Sequence, residues 1–312
     1  MSPLVGVRIQ DNISFDVSQA SERESILFPT ICYTLPKQLE SRHIPMTSWS
    51  DGYVDTNGIR IHYTRTSGTK QPLILLHGFT DNGLCWTHVA QALQNDYDII
   101  MPDARGHGLS DGPETGFSME LLTADVAGLI QSLQLDYPFV LGHSMGAATA
   151  ATLAARYPNL VRAVLLEDPP WRDAPVSPPP NAPAGQWIIS LRAMSLEQRI
   201  AVARNEQHWT EEELVPWAES KEQFNLAVVQ HNVDSAMRVG PWRELVTQIR
   251  CPFLLITGDS QHGAIITTQI AQEVAQLAPQ AKIVHLSGAG HNIRRDQYEP
   301  FMAAITSFLR EH

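Results

Sequence analysis

The sequence predicts an α/β fold in which a mostly parallel β-sheet is covered by helices on both faces. From about residue 72, short apolar runs alternate with longer segments of helical periodicity. Apolar strands separated by helices are typical of a parallel sheet that is buried on both sides. A serine between two glycines at one strand–helix junction, and a break in the alternation at residues 169–245, are the other informative features.

The strands and helices follow from this alternation. The strand candidates are Leu73–Leu76, Asp98–Met101, Pro138–Gly142, Ala163–Leu166, Pro252–Thr257 and Lys282–Leu286. The helix candidates are Cys85–Leu93, Met119–Leu133, Met145–Tyr157, Thr268–Leu277 and Gln297–Leu309. Ahead of them, Asn57-Gly58 separates two β-rich runs and predicts a hairpin with a two-residue turn.

The composition limits the classes of partner. The 312 residues can bury a core without disulfides or metal, and the net charge of −11 argues against a nucleic-acid partner. No apolar run approaches the roughly 18 residues that span a bilayer, so no membrane partner is expected. Three scattered cysteines and the absence of a secretory pattern favour a reducing, cytoplasmic location. We expect no cofactor and no metal, and the oligomeric state stays open.

The chain divides into four segments. Residues 1–45 lack sustained periodicity and are expected to form a loosely ordered extension, with a regulatory or dimerising arm as the alternative. Residues 46–168 and 246–312 form the two parts of the α/β core. Residues 169–245, hereafter the insertion, are predicted to form a helical lid, because capping boxes begin at Ser195 and Thr210.

The insertion is also rich in tryptophan. It holds five of the seven tryptophans: Trp171, Trp187, Trp209, Trp217 and Trp242. Trp187 and Trp209 are candidates for substrate binding, which would favour bulky hydrophobic or aromatic groups. The alternative is that these rings attach the lid to the core.

The candidate nucleophile is Ser144. An apolar strand ends in Gly142-His-Ser-Met-Gly146, and an alanine-rich helix follows at once. This G-x-S-x-G pattern, in its strand–turn–helix context, presents a serine hydroxyl above the sheet on a strained turn. Glycines on either side are needed because side chains there would collide with the neighbouring strand and helix.

The base and the oxyanion donors are placed by chain order. His291 follows a predicted strand and precedes the last helix, as expected of a general base. The backbone N–H of Met145, directly after the nucleophile, and that of Phe79, in the turn His77-Gly-Phe, are the expected oxyanion donors. His77 itself is expected to brace that turn.

The triad acid has more than one candidate. Asp259, directly beyond the strand Pro252–Thr257, is the first choice because it keeps the usual chain order. Asp259 stands only one residue after Gly258, so a short turn would have to present it to His291. Glu167 and Asp168, at the end of the preceding strand, therefore stay open as alternatives.

Several motifs together resemble the α/β-hydrolase superfamily, from about Tyr53 to the C-terminus. They are His77-Gly-Phe, Asp103–Ser110, Gly142–Gly146, Thr257-Gly-Asp and Gly288–His291. The resemblance implies an eight-stranded, mostly parallel sheet with a helical lid inserted after strand six. It also implies a serine hydrolase. We expect a carboxylic ester as the substrate, because ester hydrolysis requires least beyond the triad and oxyanion hole, and the tryptophans of the insertion favour a hydrophobic or aromatic small molecule. The alternatives are a C–C bond hydrolase, a lactonase or amidase with the same triad, or a non-catalytic receptor.

Overall fold

The computed structural model describes residues 49–66, 68–114, 116–173, 185–207, 209–231 and 241–312. The predicted N-terminal extension, residues 1–45, lies outside the described residues, as does the start of the predicted core at Met46. Within the described ranges, no helix is long and apolar enough to cross a membrane.

Eight strands form one sheet. They are β1 (Ser50–Thr56), β2 (Ile59–Arg65), β3 (Gln71–Leu76), β4 (Tyr97–Pro102), β5 (Phe139–His143), β6 (Ala163–Glu167), β7 (Phe253–Thr257) and β8 (Ala281–His285). Their order in the sheet is β1-β2-β4-β3-β5-β6-β7-β8. The first two pairings are antiparallel, and every pairing from β4 to β8 is parallel. The prediction of an eight-stranded, mostly parallel sheet is therefore confirmed.

The hairpin at the start of the sheet has the turn that its sequence predicts. Asn57 and Gly58 both adopt positive φ, 49° and 76°, between β1 and β2. A two-residue turn of this kind needs left-handed backbone at both central positions, which asparagine and glycine tolerate best. The turn pairs Thr56 with Ile59 and so sets the register of the two strands.

Helices cover both faces of the sheet. They are α1 (Thr87–Leu93), α2 (Met119–Ser132), α3 (Met145–Arg156), α4 (Gln186–Arg192), α5 (Leu196–Gln207), α6 (Glu211–Gln223), α7 (Trp242–Gln248), α8 (Thr268–Leu277), α9 (Ile293–Asp296) and α10 (Tyr298–Glu311). One face is covered by α1 and α10 and the other by α2, α3, α7 and α8, so that two apolar layers enclose the strands. The predicted helices lie within a few residues of these bounds.

Between β6 and β7, the described part of the insertion is helical. The capping box at Ser195 is reciprocal: the Ser195 N–H donates to Gln198 Oε1 at 2.8 Å, and the Gln198 N–H donates to Ser195 Oγ at 3.3 Å. The second capping box does not form, because Glu213 accepts instead from Arg295 Nε at 3.0 Å. That contact joins the insertion to the segment after β8.

Candidate active site

Ser144 lies on the tight turn between β5 and α3. Its backbone is strained, with φ of 50° and ψ of −112°. A Cβ atom at Gly142 would lie 2.2 Å from the Gly146 carbonyl oxygen, and one at Gly146 would lie 2.2 Å from the Leu76 carbonyl oxygen. Both distances are impossible for real side chains, so the two flanking glycines are what allows this turn.

Asp168 leaves the sheet beside Ser144. β5 and β6 are parallel neighbours in which His143 is paired with Glu167, and the Ser144 N–H donates to the Glu167 carbonyl oxygen at 2.9 Å. The next residue on each strand therefore emerges at the same edge of the sheet. Asp168 also has a positive φ, 44°, so both chains turn sharply at this point.

The Asp168 carboxylate binds the ring of His291. Nδ1 of His291 lies 2.6 Å from Asp168 Oδ2, and the backbone N–H groups of Ile265 and Ile266 donate to the same carboxylate at 2.8 and 2.9 Å. The carboxylate is fully buried. Because an ionised carboxylate can only accept, His291 carries its proton on Nδ1, and Nε2 is its basic nitrogen.

This arrangement corrects the first choice for the acid. Asp259 is not the partner of the His291 ring: its carboxylate accepts from the Gly288 N–H at 2.6 Å and lies 3.0 Å from His285 Nε2. The Gly288 bond in particular lowers the pKa of the Asp259 carboxyl. Asp259 does not reach the His291 ring because the turn after β7 is short. This turn directs the Asp259 carboxylate toward Gly288, in the loop before His291.

Glu167, the other alternative, faces away from His291. It accepts from the backbone N–H of Arg294 at 2.8 Å and from the Arg294 guanidinium at 3.3 Å. Both side chains are fully buried, and burial raises the pKa of the Glu167 carboxyl. Of the three candidates, Asp168 is thus the residue that contacts the ring of His291.

His143 also supports His291. Nε2 of His143 donates to the His291 carbonyl oxygen at 2.9 Å, and the two rings lie 4.7 Å apart. Burial, together with the neighbouring His291, holds the pKa of His143 well below its usual value. A neutral His143 therefore fixes the backbone of His291 without adding charge beside it.

The loop after β3 lies directly against the Ser144 turn. A Cβ atom at Gly78 would lie 2.6 Å from His143 Nδ1 and 3.6 Å from Ser144 Cβ. The loop therefore comes closest to the Ser144 turn at Gly78, and Phe79 is the next residue along the chain. His77 braces this loop as expected, because its Nε2 accepts from the Ala104 N–H at 2.9 Å. Met145 is the first residue of α3, where a backbone N–H has no partner within the helix. The Phe79 and Met145 N–H groups, the expected oxyanion donors, thus belong to the two segments that meet at the Ser144 turn.

An aromatic cluster lies next to Met145. The ring of Phe79 is 5.2 Å from that of Phe224 and 6.5 Å from that of Phe117, and half-buried Trp187 packs against the same cluster. Trp209 differs: it is buried, and its Nε1 donates to Asp296 at 3.0 Å. Trp209 therefore attaches the insertion to the core, which favours the alternative role for this tryptophan.

Sequence reasoning did not identify a buried ion cluster that includes residues of the loop after β3 and of the insertion. It consists of three cations, Lys221, Arg294 and Arg295, and three carboxylates, Asp81, Glu167 and Glu213. The charges come from four separate parts of the chain, so no local motif could indicate their association. The one available signal was the density of charge after His291, in Arg294-Arg295-Asp296.

Comparison with known proteins assigns the family. The model of the alpha/beta hydrolase family matches residues 73–304. N-formylmaleamate deformylase of Pseudomonas putida is 32% identical over 271 residues, which cover 83% of this chain and 96% of that protein. An N-formylmaleamic acid deformylase structure from Pseudomonas putida S16 has a TM-score of 0.71 at 26% identity and covers 82% of this chain and 100% of that one. The enol-lactonase of Burkholderia xenovorans LB400 has a TM-score of 0.66 at 25% identity, covering 83% and 100%. This chain is a hydrolase that belongs to the alpha/beta hydrolase family.

Proposed function

We propose that this chain hydrolyses the amide or enol-ester bond of a small molecule through an acyl-enzyme on Ser144. The observation that carries the proposal is the 2.6 Å contact between His291 Nδ1 and the buried Asp168 carboxylate, beside a strained serine turn. Nucleophile, base and orienting acid are the three groups that acyl transfer by a serine requires.

The proposed chemistry assigns one task to each group. His291 Nε2 takes the proton of Ser144 Oγ as that oxygen attacks the carbonyl carbon of the substrate. The oxyanion that forms accepts hydrogen bonds from the N–H groups of Phe79 and Met145. The imidazolium, stabilised by ionised Asp168, then gives its proton to the leaving nitrogen or oxygen. In the second stage, His291 takes a proton from a water molecule as that water attacks the carbonyl carbon of the acyl-enzyme. The bond to Ser144 Oγ then breaks, Oγ receives the proton from His291, and the carboxylic acid is released.

The relatives favour an amide or a lactone over a plain ester. A relative of similar length is named for deformylation of an N-formyl amide, and a structural neighbour for an enol lactone. Both bonds join an acyl carbon to a nitrogen or oxygen, so the same acyl-enzyme chemistry serves for either. A C–C bond hydrolase remains an alternative with the same three residues. The presence of all three argues against a non-catalytic receptor.

A second candidate function is hydrolysis of hydrophobic or aromatic carboxylic esters. The partly exposed rings of Phe79 and Trp187, which pack on buried Phe224 beside Met145, support it, because such rings can cover apolar acyl groups. In either case, the insertion would act as a lid that shields the acyl-enzyme from bulk water.

A panel of three substrates tests the proposal. N-formylmaleamate, an enol lactone and p-nitrophenyl benzoate would be compared as substrates of the wild-type chain and of Ser144→Ala. We expect kcat/KM for N-formylmaleamate or the lactone to exceed that for the benzoate at least tenfold. A preference for the benzoate would support the second candidate. Equal turnover by wild type and Ser144→Ala would contradict both.

A further inference from the structure

We propose that Lys221, a buried lysine of the insertion, is a positioning residue that holds Thr80 in a strained turn and so fixes the Phe79 N–H in the oxyanion hole. The inference rests on the proposed function, because Phe79 is an oxyanion donor only if Ser144 is the nucleophile. Lys221 lies in the last turn of α6, and Phe79 and Thr80 lie in the loop after β3.

The hydrogen bonds of Lys221 are directed at this loop, while its Nζ also lies 5.0 Å from the centre of the Trp217 ring in its own helix. Its Nζ lies 2.6 Å from Asp81 Oδ1, 3.1 Å from the Thr80 carbonyl oxygen and 3.2 Å from Thr80 Oγ1. An ammonium group has three hydrogens, so these three acceptors match its full set of donors. Lys221 is 1% exposed, and it therefore serves the loop and not the substrate.

Thr80 needs such a partner because its backbone conformation is unfavourable. The Asp81 N–H donates to the Gly78 carbonyl oxygen at 3.1 Å, which makes Phe79 and Thr80 the central residues of a β-turn. Thr80 has a φ of 65°. A positive φ at the second central residue is normally met by glycine or asparagine, and it is an outlier for a β-branched residue. Strained residues of this kind persist where their surroundings hold them.

Loss of the lysine should therefore affect the oxyanion donor. If Thr80 relaxed to a negative φ, the turn would change type, and the peptide bond between Phe79 and Thr80 would rotate. The Phe79 N–H belongs to the preceding peptide bond, and the change in Phe79 ψ that accompanies the rotation would disturb the direction of this N–H, which must be accurately aimed to stabilise an oxyanion. A second contact from the same helix turn, Asn82 Nδ2 to Gln223 Oε1 at 2.7 Å, supports the loop further along.

Lys221→Met removes the contact, and Arg199→Met is the matched control. Arg199 is also a buried cation of the insertion, but its partners are Glu222 at 2.8 Å and the Met194 carbonyl oxygen at 3.1 Å, within the insertion itself. For the substrate with the highest turnover, we expect Lys221→Met to lower kcat about 10²-fold, as loss of one oxyanion donor does. KM should change less than about threefold, and Arg199→Met should leave kcat within about threefold of wild type.

Rescue separates positioning from general destabilisation. Glycine adopts positive φ freely, so Thr80→Gly added to Lys221→Met should recover kcat at least about tenfold. Failure of this rescue, or equal kcat in Lys221→Met and Arg199→Met, would overturn the inference. If Lys221→Met does not fold, Thr80→Val takes its place, since it removes only the hydroxyl contact. It should lower kcat about tenfold, and an unchanged kcat would count against the proposal.

Hydrogen exchange tests the inference independently of turnover. Amides of residues 78–82 should exchange at least about tenfold faster in Lys221→Met than in Arg199→Met, measured by mass spectrometry of the folded chains. Equal exchange in the two variants would overturn the positioning role. Faster exchange in a chain without Ser144-dependent turnover would instead show that Lys221 holds the loop and would contradict the proposed function, and with it the oxyanion role of Phe79.

Discussion

Asp168→Asn should abolish turnover while leaving the fold intact. In the wild-type chain, Asp168 Oδ2 faces His291 Nδ1 at 2.6 Å, and Oδ1 accepts from the Ile266 N–H at 2.9 Å. An asparagine can keep its oxygen toward the backbone N–H groups only by turning its amide nitrogen toward His291. The ring must then accept at Nδ1 and carry its proton on Nε2, where it cannot take the proton of Ser144.

The expected size of the effect follows from this change of tautomer. We expect kcat to fall about 10⁴-fold, as in serine proteases with the same substitution, which corresponds to about 5.4 kcal/mol of lost transition-state stabilisation. The stability loss should be smaller, about 1–3 kcal/mol, because the two backbone N–H groups keep a neutral acceptor.

The assay compares kcat of Asp168→Asn and Asp259→Asn on one substrate, with thermal unfolding of both chains. Asp259 binds the Gly288 N–H, so its amide variant should keep kcat within about tenfold of wild type. A nearly silent Asp168→Asn beside an inactive Asp259→Asn would refute the reasoning.

Two further predictions concern the insertion and the ion cluster. Trp209→Ala should lower Tm by about 10 °C and leave substrate ranking unchanged, because the ring is buried and bonded to Asp296. Trp187→Ala should alter the ranking with a smaller change in Tm; unchanged ranking in both variants would exclude a pocket role for Trp187. Burial alone would raise the pKa of Asp81, but Arg295 and Lys221 outweigh it and hold that pKa well below its usual range. Its stabilisation should therefore be present above about pH 4 and be lost as pH falls further. When Tm is measured from pH 3 to 7, the fall in Tm toward low pH should be smaller for Asp81→Asn than for wild type. An equally large fall in both chains would contradict this.

The fold could be predicted from sequence because its signals are local. Each buried strand is a short apolar run. The dipeptide Asn57-Gly58 predicts a two-residue turn, and both residues adopt the positive φ that this turn requires, 49° and 76°. Ser144 lies on a turn that the two flanking glycines identify within five residues. Chain order left four of the twelve histidines as candidates, and the position of His291 between a predicted strand and the last helix selected it.

The acid could not be chosen in this way, because it depends on which strands are neighbours. Asp168 lies beside Ser144 only because β6 pairs with β5 in a register that matches His143 with Glu167. Sequence patterns predict strands but not this register. The ion cluster is harder still, since Lys221 and Asp81 are 140 residues apart and meet only in the folded chain.

Covalent labelling of the nucleophile tests the central claim most directly. A serine-directed phosphonate should add one adduct per chain, and peptide mass spectrometry should locate it on Ser144 in the peptide that contains Gly142–Gly146. Ser144→Ala should take up no label and lose at least about 10⁴-fold in kcat, with an unchanged Tm. A label on another residue, or an unlabelled chain that still turns over substrate, would contradict the account.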